Sequence, residues 1–114
     1  KGALLIIERI QELVGERPAV LTGDFNVDDT SEAYQTLTTN AFVLKDAYKT
    51  ADTKEGASYT YHDFGQLPME ERQKIDFIFV TTQIKVSRSW IPKENADGKG
   101  FLSDHNPQLA TLQF

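Results

Sequence analysis

The strongest constraint on the fold of this chain is an amphipathic helical pattern that leads directly into a short apolar segment. Apolar residues recur at three- and four-residue steps, so they form one stripe on a helix, and that stripe needs a sheet or core to pack against. The stripe consists of Ala3, Ile6, Ile7, Ile10, Leu13 and Val14. Gly15 is positioned to end the helix, and residues 19–21 after Pro18 predict a buried strand. A helix followed by a buried strand predicts an α/β fold.

The middle of the chain is more polar. Asp29 and Glu32 have the spacing of a capping box, which predicts a second helix over residues 30–39. Residues 49–58 are polar and predict a loop. The aromatic and β-branched residues at 58–61 predict a short strand after that loop.

Three further apolar segments predict strands in the second half. Residues 75–80 give the clearest pattern, and Asp76 is their only ionisable residue. Residues 84–90 alternate apolar and polar side chains, and residues 108–114 do so as well. Because only a few residues separate the first two of these segments, we expect them to form a hairpin.

Composition limits the classes of function. The chain has 114 residues, 39% of them hydrophobic and 25% charged, which is typical of one small soluble domain. Its formal charge of −5 does not favour broad contact with a nucleic-acid backbone. It has no cysteine, and no apolar stretch reaches the roughly 18 residues of a membrane span. Because it starts at Lys1, we expect a cut end, so a targeting signal would lie upstream and the localisation stays unknown.

Polar clusters follow or begin three of the apolar segments, at positions where catalytic groups are commonly held. Three carboxylates belong to these clusters: Asp24, Asp76 and Asp104. If they share one pocket, their charges repel, so a cation such as Mg²⁺ or a protonated histidine must lie nearby, or a carboxylate must take up a proton. Mg²⁺ prefers oxygen ligands, so one or two carboxylates and a substrate phosphate would hold it.

The same clusters suggest how a phosphoester could be hydrolysed. His105 could contact the phosphate, and Asp76 is our candidate for the carboxylate that fixes its tautomer and orientation. Asp24 and Asn26 lie two residues apart, so an extended loop would point both the same way. One would accept a proton from water and the other would donate to an oxygen of the reacting phosphorus centre. This chemistry needs no covalent enzyme intermediate.

Each cluster also has a structural interpretation. The Asp24 and Asp104 segments could be ordinary turns, since Gly and Asp are common turn residues. Lys74 could be the ion-pair partner of Asp76, because a carboxylate beside an apolar strand is costly to bury alone. His62 has no spacing that fixes a role, and we expect it to be a surface residue or a satisfied polar residue.

Taken in order, the motifs resemble the carboxyl-terminal half of the endonuclease/exonuclease/phosphatase family, the DNase I-like phosphoesterases. The motifs are Gly23-Asp24-Phe25-Asn26, Ile75-Asp76-Phe77-Ile78-Phe79 and Ser103-Asp104-His105. The stretch at residues 59–64 is also similar to the segment that precedes the Ile-Asp-aromatic strand in many bacterial members. The resemblance implies half of a four-layer α/β/β/α sandwich, with a mixed, largely antiparallel sheet and helices on one face.

The resemblance also implies roles for the polar residues. Asp24 would orient or deprotonate the attacking water, and Asn26 would assist at the phosphate. Asp76 would hold His105, and His105 would contact the scissile phosphate. Asp104 would lie on the metal side, and the usual cofactor of the family is Mg²⁺ or Mn²⁺.

The chain departs from the family in length. Family domains are more than twice as long, and the Asn, Glu and His that their amino-terminal half supplies have no match here. We therefore expect residues 1–114 to be the carboxyl-terminal part of a single domain whose amino-terminal half is absent. Such a chain would be weakly active or inactive, and it would self-associate through the sheet face left exposed.

The sequence therefore predicts a metal-dependent phosphoesterase of bacterial type that hydrolyses a phosphodiester or phosphomonoester. Its charge favours a small molecule or lipid headgroup over nucleic acid as the substrate. One alternative is a non-catalytic interaction or binding module that keeps the fold. Another is an unrelated α/β binding domain, in which the three motif loops would not converge.

Overall fold

The computed structural model describes residues 2–39, 44–92 and 103–114, and these form three α-helices and six strands with one 3₁₀ turn. In chain order the elements are α1 (Gly2–Val14), β1 (Val20–Asp24), α2 (Glu32–Thr39), β2 (Leu44–Asp46), α3 (Ala47–Thr50), β3 (Thr53–Gly56), the 3₁₀ turn (Met69–Glu71), β4 (Asp76–Thr81), β5 (Lys85–Ile91) and β6 (Leu109–Gln113). No helix in these ranges is both long and apolar enough to cross a bilayer.

The strands form two sheets of three strands. In the first sheet, β4 lies between β1 and β2 and is antiparallel to both. In the second, β5 lies between β3, which runs parallel to it, and β6, which runs antiparallel. The predicted α/β fold with mixed, largely antiparallel strand pairing is confirmed.

The first sheet is covered by helices α1 and α2. Helix α1 begins and ends as its apolar stripe predicts, and Gly15 follows it with φ +59°, its N–H donating to the carbonyl of Gln11. One buried cluster joins these helices to the sheet: Ala3, Ile7, Tyr34, Leu37, Leu44, Phe77 and Phe79. The cluster fixes the sheet whose edge carries the polar motifs.

The capping box predicted for α2 is wrong. The helix begins at Glu32, and the hydroxyl of Ser31 accepts the hydrogen bond from the N–H of Tyr34. Asp29 instead forms an ion pair with Lys49, at 2.6 Å. Ser31 therefore satisfies the helix terminus, and Asp29 is free to bind a lysine on another element.

The predicted hairpin is also wrong. Both edges of β4 are already taken by β1 and β2, so β5 turns away and joins the second sheet. The register between β5 and β6 shifts between Val86 and Arg88, and this bulge buries Ser89 while leaving Trp90 partly exposed. The simple alternation expected along residues 84–90 is therefore interrupted.

Three local predictions fail because pairing, not composition, decides the conformation. Thr53–Gly56 is a strand with all four residues exposed, where the polar sequence predicted a loop. Residues 58–61 are not a regular strand, since only Tyr61 forms isolated bridges, with Gln73 and His105. Strand β1 is predicted to be buried, yet most of it is exposed, and Val20 retains 43% exposure.

Candidate active site

The candidate site begins where β1 ends and β4 starts. These strands are antiparallel, and their register places Asp24 directly opposite Asp76. Two carboxylates therefore lie at the same edge of the first sheet. The loop that carries His105 reaches this edge through its bridge to Tyr61.

His105 contacts all three predicted carboxylates. Its Nδ1 lies 2.6 Å from Oδ2 of Asp76, which is a hydrogen-bond distance. Its Nε2 lies 3.6 Å from Oδ2 of Asp24 and 3.9 Å from Oδ1 of Asp104. Because an ionised carboxylate only accepts, Nδ1 carries the proton in this pair and Nε2 faces the other two carboxylates. The three motif loops thus converge, contrary to the alternative of an accidental match.

The surroundings of His105 favour its charged form. Burial alone would lower the pKa of the imidazole, but the hydrogen bond to Asp76 and the charges of Asp76, Asp24 and Asp104 outweigh it and raise the pKa above the usual 6.5. The protonated imidazole of His105 partly neutralises the charge of the three carboxylates. Its Nε2–H is also a strong hydrogen-bond donor for an anionic oxygen, such as an oxygen of a phosphate.

The segment that carries Asp24 and Asn26 is a tight turn, not the extended loop that we expected. Asn26 has φ +56°, and its backbone N–H donates to Oδ1 of Asp24 at 2.9 Å. Asn readily adopts this left-handed conformation. Phe25 lies between these two residues. Its ring packs edge-on against Phe77 and Phe79, and its backbone N–H donates to the carbonyl of Ile75. The turn therefore holds the Asp24 carboxylate against the sheet.

The donor set fits a hard divalent cation. Asp24, Asp76 and His105 each offer a ligand atom, and these atoms lie within 4.8 Å of one another. Asp76 already accepts from His105, whereas the side chains of Asp24 and Asp104 remain 40% and 43% exposed. Mg²⁺ and Mn²⁺ bind carboxylate oxygens and keep several waters, so the accessible carboxylate of Asp24 close to that of Asp76 suits them.

An open cleft of about 380 Å³ adjoins these residues. It is lined by Asp24 and Asp76 from the strands and by Asn106, Pro107 and Gln108 beyond the histidine. A cleft of this size lies within the usual range for small-molecule sites. A substrate there would reach the carboxylates directly.

Lys74 and His62 have structural contacts. The Nζ of Lys74 donates to the backbone carbonyl of Asp76 at 2.7 Å and lies 3.9 Å from the centre of the Phe77 ring. His105, not Lys74, is the partner of the Asp76 carboxylate. His62 is fully buried, and its Nδ1 accepts from the N–H of Gly65, so it is a satisfied polar residue, not a surface one.

The sequence analysis missed Thr60, which lies behind the site. Its side chain is fully buried, and its hydroxyl oxygen accepts from the N–H groups of Ile75 and Asp76. The residue was predicted to belong to a strand, where its hydroxyl would have had no particular importance. No pattern in the sequence indicates this contact, because it depends on the fold around residues 59–73.

Known proteins share this fold and parts of this sequence. A family model described as "Endonuclease/Exonuclease/phosphatase family" matches residues 3–105. The crystal structure of an endonuclease/exonuclease/phosphatase from Bacteroides vulgatus is 61% identical, with a TM-score of 0.92 over 97% of this chain and 42% of that one. A search of curated proteins gave no match.

Two further structures are similar over 98% of this chain. A mannosyl-6-phosphatase from Bacteroides thetaiotaomicron VPI-5482 is 32% identical, with a TM-score of 0.81 over 44% of its own length. The human Nocturnin catalytic domain, at 21% identity and a TM-score of 0.73 over 39% of its length, shares the fold alone. The chain thus spans about two fifths of the structures that it matches.

Proposed function

This chain belongs to the endonuclease/exonuclease/phosphatase family, a family of phosphoesterases, and from that membership we propose that it carries part of a site that hydrolyses a phosphoester with the help of a metal ion. The observation that carries the proposal is the contact of His105 with three carboxylates. Its Nδ1 binds Asp76, and its Nε2 lies within 4 Å of Asp24 and Asp104. Such a cluster carries an excess of negative charge, which costs free energy unless a cation offsets it.

His105 binds the phosphoryl group of the substrate. With Nδ1 held by Asp76, the only free ring donor is Nε2, at the open side of the site. The raised pKa keeps a larger fraction of the ring protonated near neutral pH. Nε2–H therefore donates to a non-bridging phosphate oxygen, whose negative charge increases in the transition state.

Asp24 orients the attacking water and accepts its proton. Its Oδ1 is fixed by the N–H of Asn26, while Oδ2 lies on the side of His105. The water oxygen forms a new bond to phosphorus, the ester P–O bond breaks, and the leaving oxygen takes up a proton from solvent. Asn26 assists by donating from its side-chain amide to the phosphate, as its place in the motif implies.

Asp104, whose carboxylate is accessible, would hold Mg²⁺ or Mn²⁺ at the exposed side of the cluster. Its carboxylate is 43% exposed and lies 3.9 Å from Nε2 of His105, the atom that we assign to the phosphate. When bound, such a cation neutralises phosphate charge and polarises the phosphoryl oxygens. The remaining chemistry comes from Asp24, Asn26, Asp76 and His105.

We further propose a small molecule or lipid headgroup as the substrate. The net charge of −5 disfavours long contact with a polyanion. The adjoining cleft of about 380 Å³ suits a compact molecule. The name of the mannosyl-6-phosphatase relative makes mannose 6-phosphate one reasonable compound to test.

The test is a hydrolysis assay on p-nitrophenyl phosphate, bis(p-nitrophenyl) phosphate and mannose 6-phosphate. We would assay the chain itself and a chimera in which it replaces the matching segment of the Bacteroides vulgatus protein, with Mg²⁺, Mn²⁺ or a chelator. We expect metal-dependent hydrolysis, at least in the chimera. His105→Ala should lower kcat by about 10²- to 10³-fold, as loss of a donor to transition-state charge does in other enzymes.

The matched control is Lys85→Ala, on β5, which removes an exposed side chain whose partner, Asp52, lies outside the three motifs. It should leave kcat within twofold of the unsubstituted form. A folded chimera with no metal-dependent hydrolysis of any panel compound would contradict the proposal, provided that the parent protein is active. Equal loss in the control and in His105→Ala would also contradict it.

A further inference from the structure

We propose that Thr60 is a positioning residue. It aligns Asp76 with His105 by hydrogen-bonding to the backbone of the two segments that carry them. The inference deepens the proposed function and rests on it for the catalytic consequence, since the pair matters only if it performs chemistry. Thr60 hydrogen-bonds to backbone atoms, not to the Asp76 carboxylate or the His105 ring. It acts on the backbone on which both are mounted.

Thr60 binds the start of β4 through its side chain. Its Oγ1 accepts from the N–H of Ile75 at 3.0 Å and from the N–H of Asp76 at 3.2 Å. A hydroxyl oxygen has two lone pairs, so one threonine satisfies both donors. The side chain is fully buried, so water cannot take its place.

Thr60 binds the His105 loop through its main chain. Its carbonyl accepts from the N–H of Asn106 at 2.6 Å, one residue beyond the histidine, and its own N–H donates to the carbonyl of Gln73. Neighbouring residues add to this attachment, because the N–H groups of His62 and Asp63 both donate to the carbonyl of Asp104. One buried residue thus joins the two segments that carry Asp76 and His105.

The topology explains why β4 needs this contact. Strand β2 pairs only with residues 79–81, so it does not extend to the first residues of β4. On the other side, β1 pairs with Asp76 to Val80. Among the described residues, Thr60 provides the acceptor that β2 would have supplied to the N–H of Asp76. A residue without a hydroxyl would leave the buried N–H of Ile75 and the partly buried N–H of Asp76 without this acceptor.

The alignment matters because Asp76 and His105 make a short hydrogen bond although they are far apart in the sequence. The two residues are 29 positions apart and belong to different elements, yet Nδ1 and Oδ2 lie 2.6 Å apart. A small shift of either segment would lengthen this bond and turn the ring. Catalytic rates respond strongly to displacements of this kind.

The experiment compares Thr60→Val with Thr60→Ser in the full chain. Valine keeps the shape and loses the acceptor, whereas serine keeps the hydroxyl. The readout is the ¹H resonance of His105 Nδ1–H, recorded at one fixed pH and low temperature with ¹⁵N-labelled histidine, because a short bond to a carboxylate moves this proton far downfield. We expect the resonance to move upfield or disappear in Thr60→Val and to persist in Thr60→Ser.

Thr81→Val is the matched control. Thr81 is another buried threonine, at the end of β4 away from the site, and its hydroxyl accepts from the N–H of Ala19 at 3.0 Å. The change should lower stability without altering the His105 resonance. A resonance that persists in Thr60→Val, or is lost in Thr60→Ser or Thr81→Val, would overturn the proposal.

Two further measurements keep the inference testable. If Thr60→Val does not fold, amide hydrogen exchange in the unsubstituted chain tests the proposal instead. The amides of Ile75 and Asp76 should be protected because they donate to Thr60. Rapid exchange of these two amides, with the rest of β4 protected, would overturn the proposal. In an active form, Thr60→Val should lower kcat at least tenfold with KM within twofold, and Thr60→Ser should restore kcat. Absence of activity in the folded chimera would count against the proposed function alone, since the resonance reports the alignment without catalysis.

Discussion

His105 and Asp76 form the shortest contact of the candidate site, with 2.6 Å between Nδ1 and Oδ2. The pair links the loop before β6 to the first residue of β4. It also determines which ring nitrogen faces outward, because the proton on Nδ1 is committed to the carboxylate. The same contact contributes to the raised pKa of His105. Its effect can therefore be measured without a substrate, from the dependence of stability on pH.

Asp76→Asn should flatten the dependence of stability on pH. The pKa of His105 is raised above 6.5 in the folded chain, so its protonation stabilises the fold below that value and the contribution is lost as pH rises through the folded pKa. An amide of the same shape removes the charge that contributes most to this rise. Urea unfolding at a series of pH values from mildly acidic to mildly alkaline would show it, and an unchanged slope would rule out this role of Asp76.

Asp104→Asn should weaken Mn²⁺ binding at least about tenfold, because even the loss of a residue that only orients a metal ligand costs 10- to 100-fold. The change keeps the shape of the side chain and removes its charge. Titration of the chain with Mn²⁺, followed by paramagnetic broadening of amide resonances near His105, measures the affinity. Asp52→Asn is the control, since Asp52 is similarly exposed and pairs with Lys85 away from the site. Equal affinities in both variants would exclude Asp104 as the ligand.

The sequence predicted elements whose pattern is set by local burial. Helix α1 has a complete apolar stripe and a glycine at its end, and β4 is an apolar run with one carboxylate, so both lie close to where we expected them. The motif order also indicated the family. The proximity of Asp24, Asp76 and His105 followed from that order, although their catalytic roles, the substrate class and self-association stay predictions.

Pairing between distant segments could not be predicted. The exposed strand Thr53–Gly56 forms because β5 offers it a parallel partner, not because its own residues favour a strand. The hairpin failed for a similar reason, since β1 and β2 already flank β4. Thr60 was missed because its importance lies in two backbone donors that are 15 and 16 positions away. A single sequence contains no local signal for such contacts.

Lys74→Met should reduce the gain in stability that we expect of the chain at alkaline pH. Burial lowers the pKa of Lys74 to about 8, although Asp46, Asp76 and Asp29 oppose the shift. The unfolded chain then binds more protons between pH 8 and the usual lysine value of 10.5, so stability rises with pH in that window. From about pH 7.5 to 9.5 the rise attributable to this group is roughly 2 kcal/mol. Chemical unfolding at both pH values measures this change in the free energy of unfolding. A rise in the variant as large as that in the unsubstituted chain would contradict the assignment to Lys74.

Gly56→Ala should destabilise the second sheet far more than Gly15→Ala destabilises the end of α1. Both glycines have positive φ, +84° and +59°, so an alanine costs about 1 to 2 kcal/mol of backbone strain at either site. At Gly56 the new Cβ would also lie 2.2 Å from the carbonyl oxygen of Ile91, its neighbour on β5, whereas at Gly15 nothing lies within 4 Å. Overpacking of this kind adds about 1 to 3 kcal/mol, which gives a total of about 2 to 5 kcal/mol for Gly56. Urea unfolding of the two variants isolates the clash as their difference, and equal losses would mean that β3 does not approach β5 this closely.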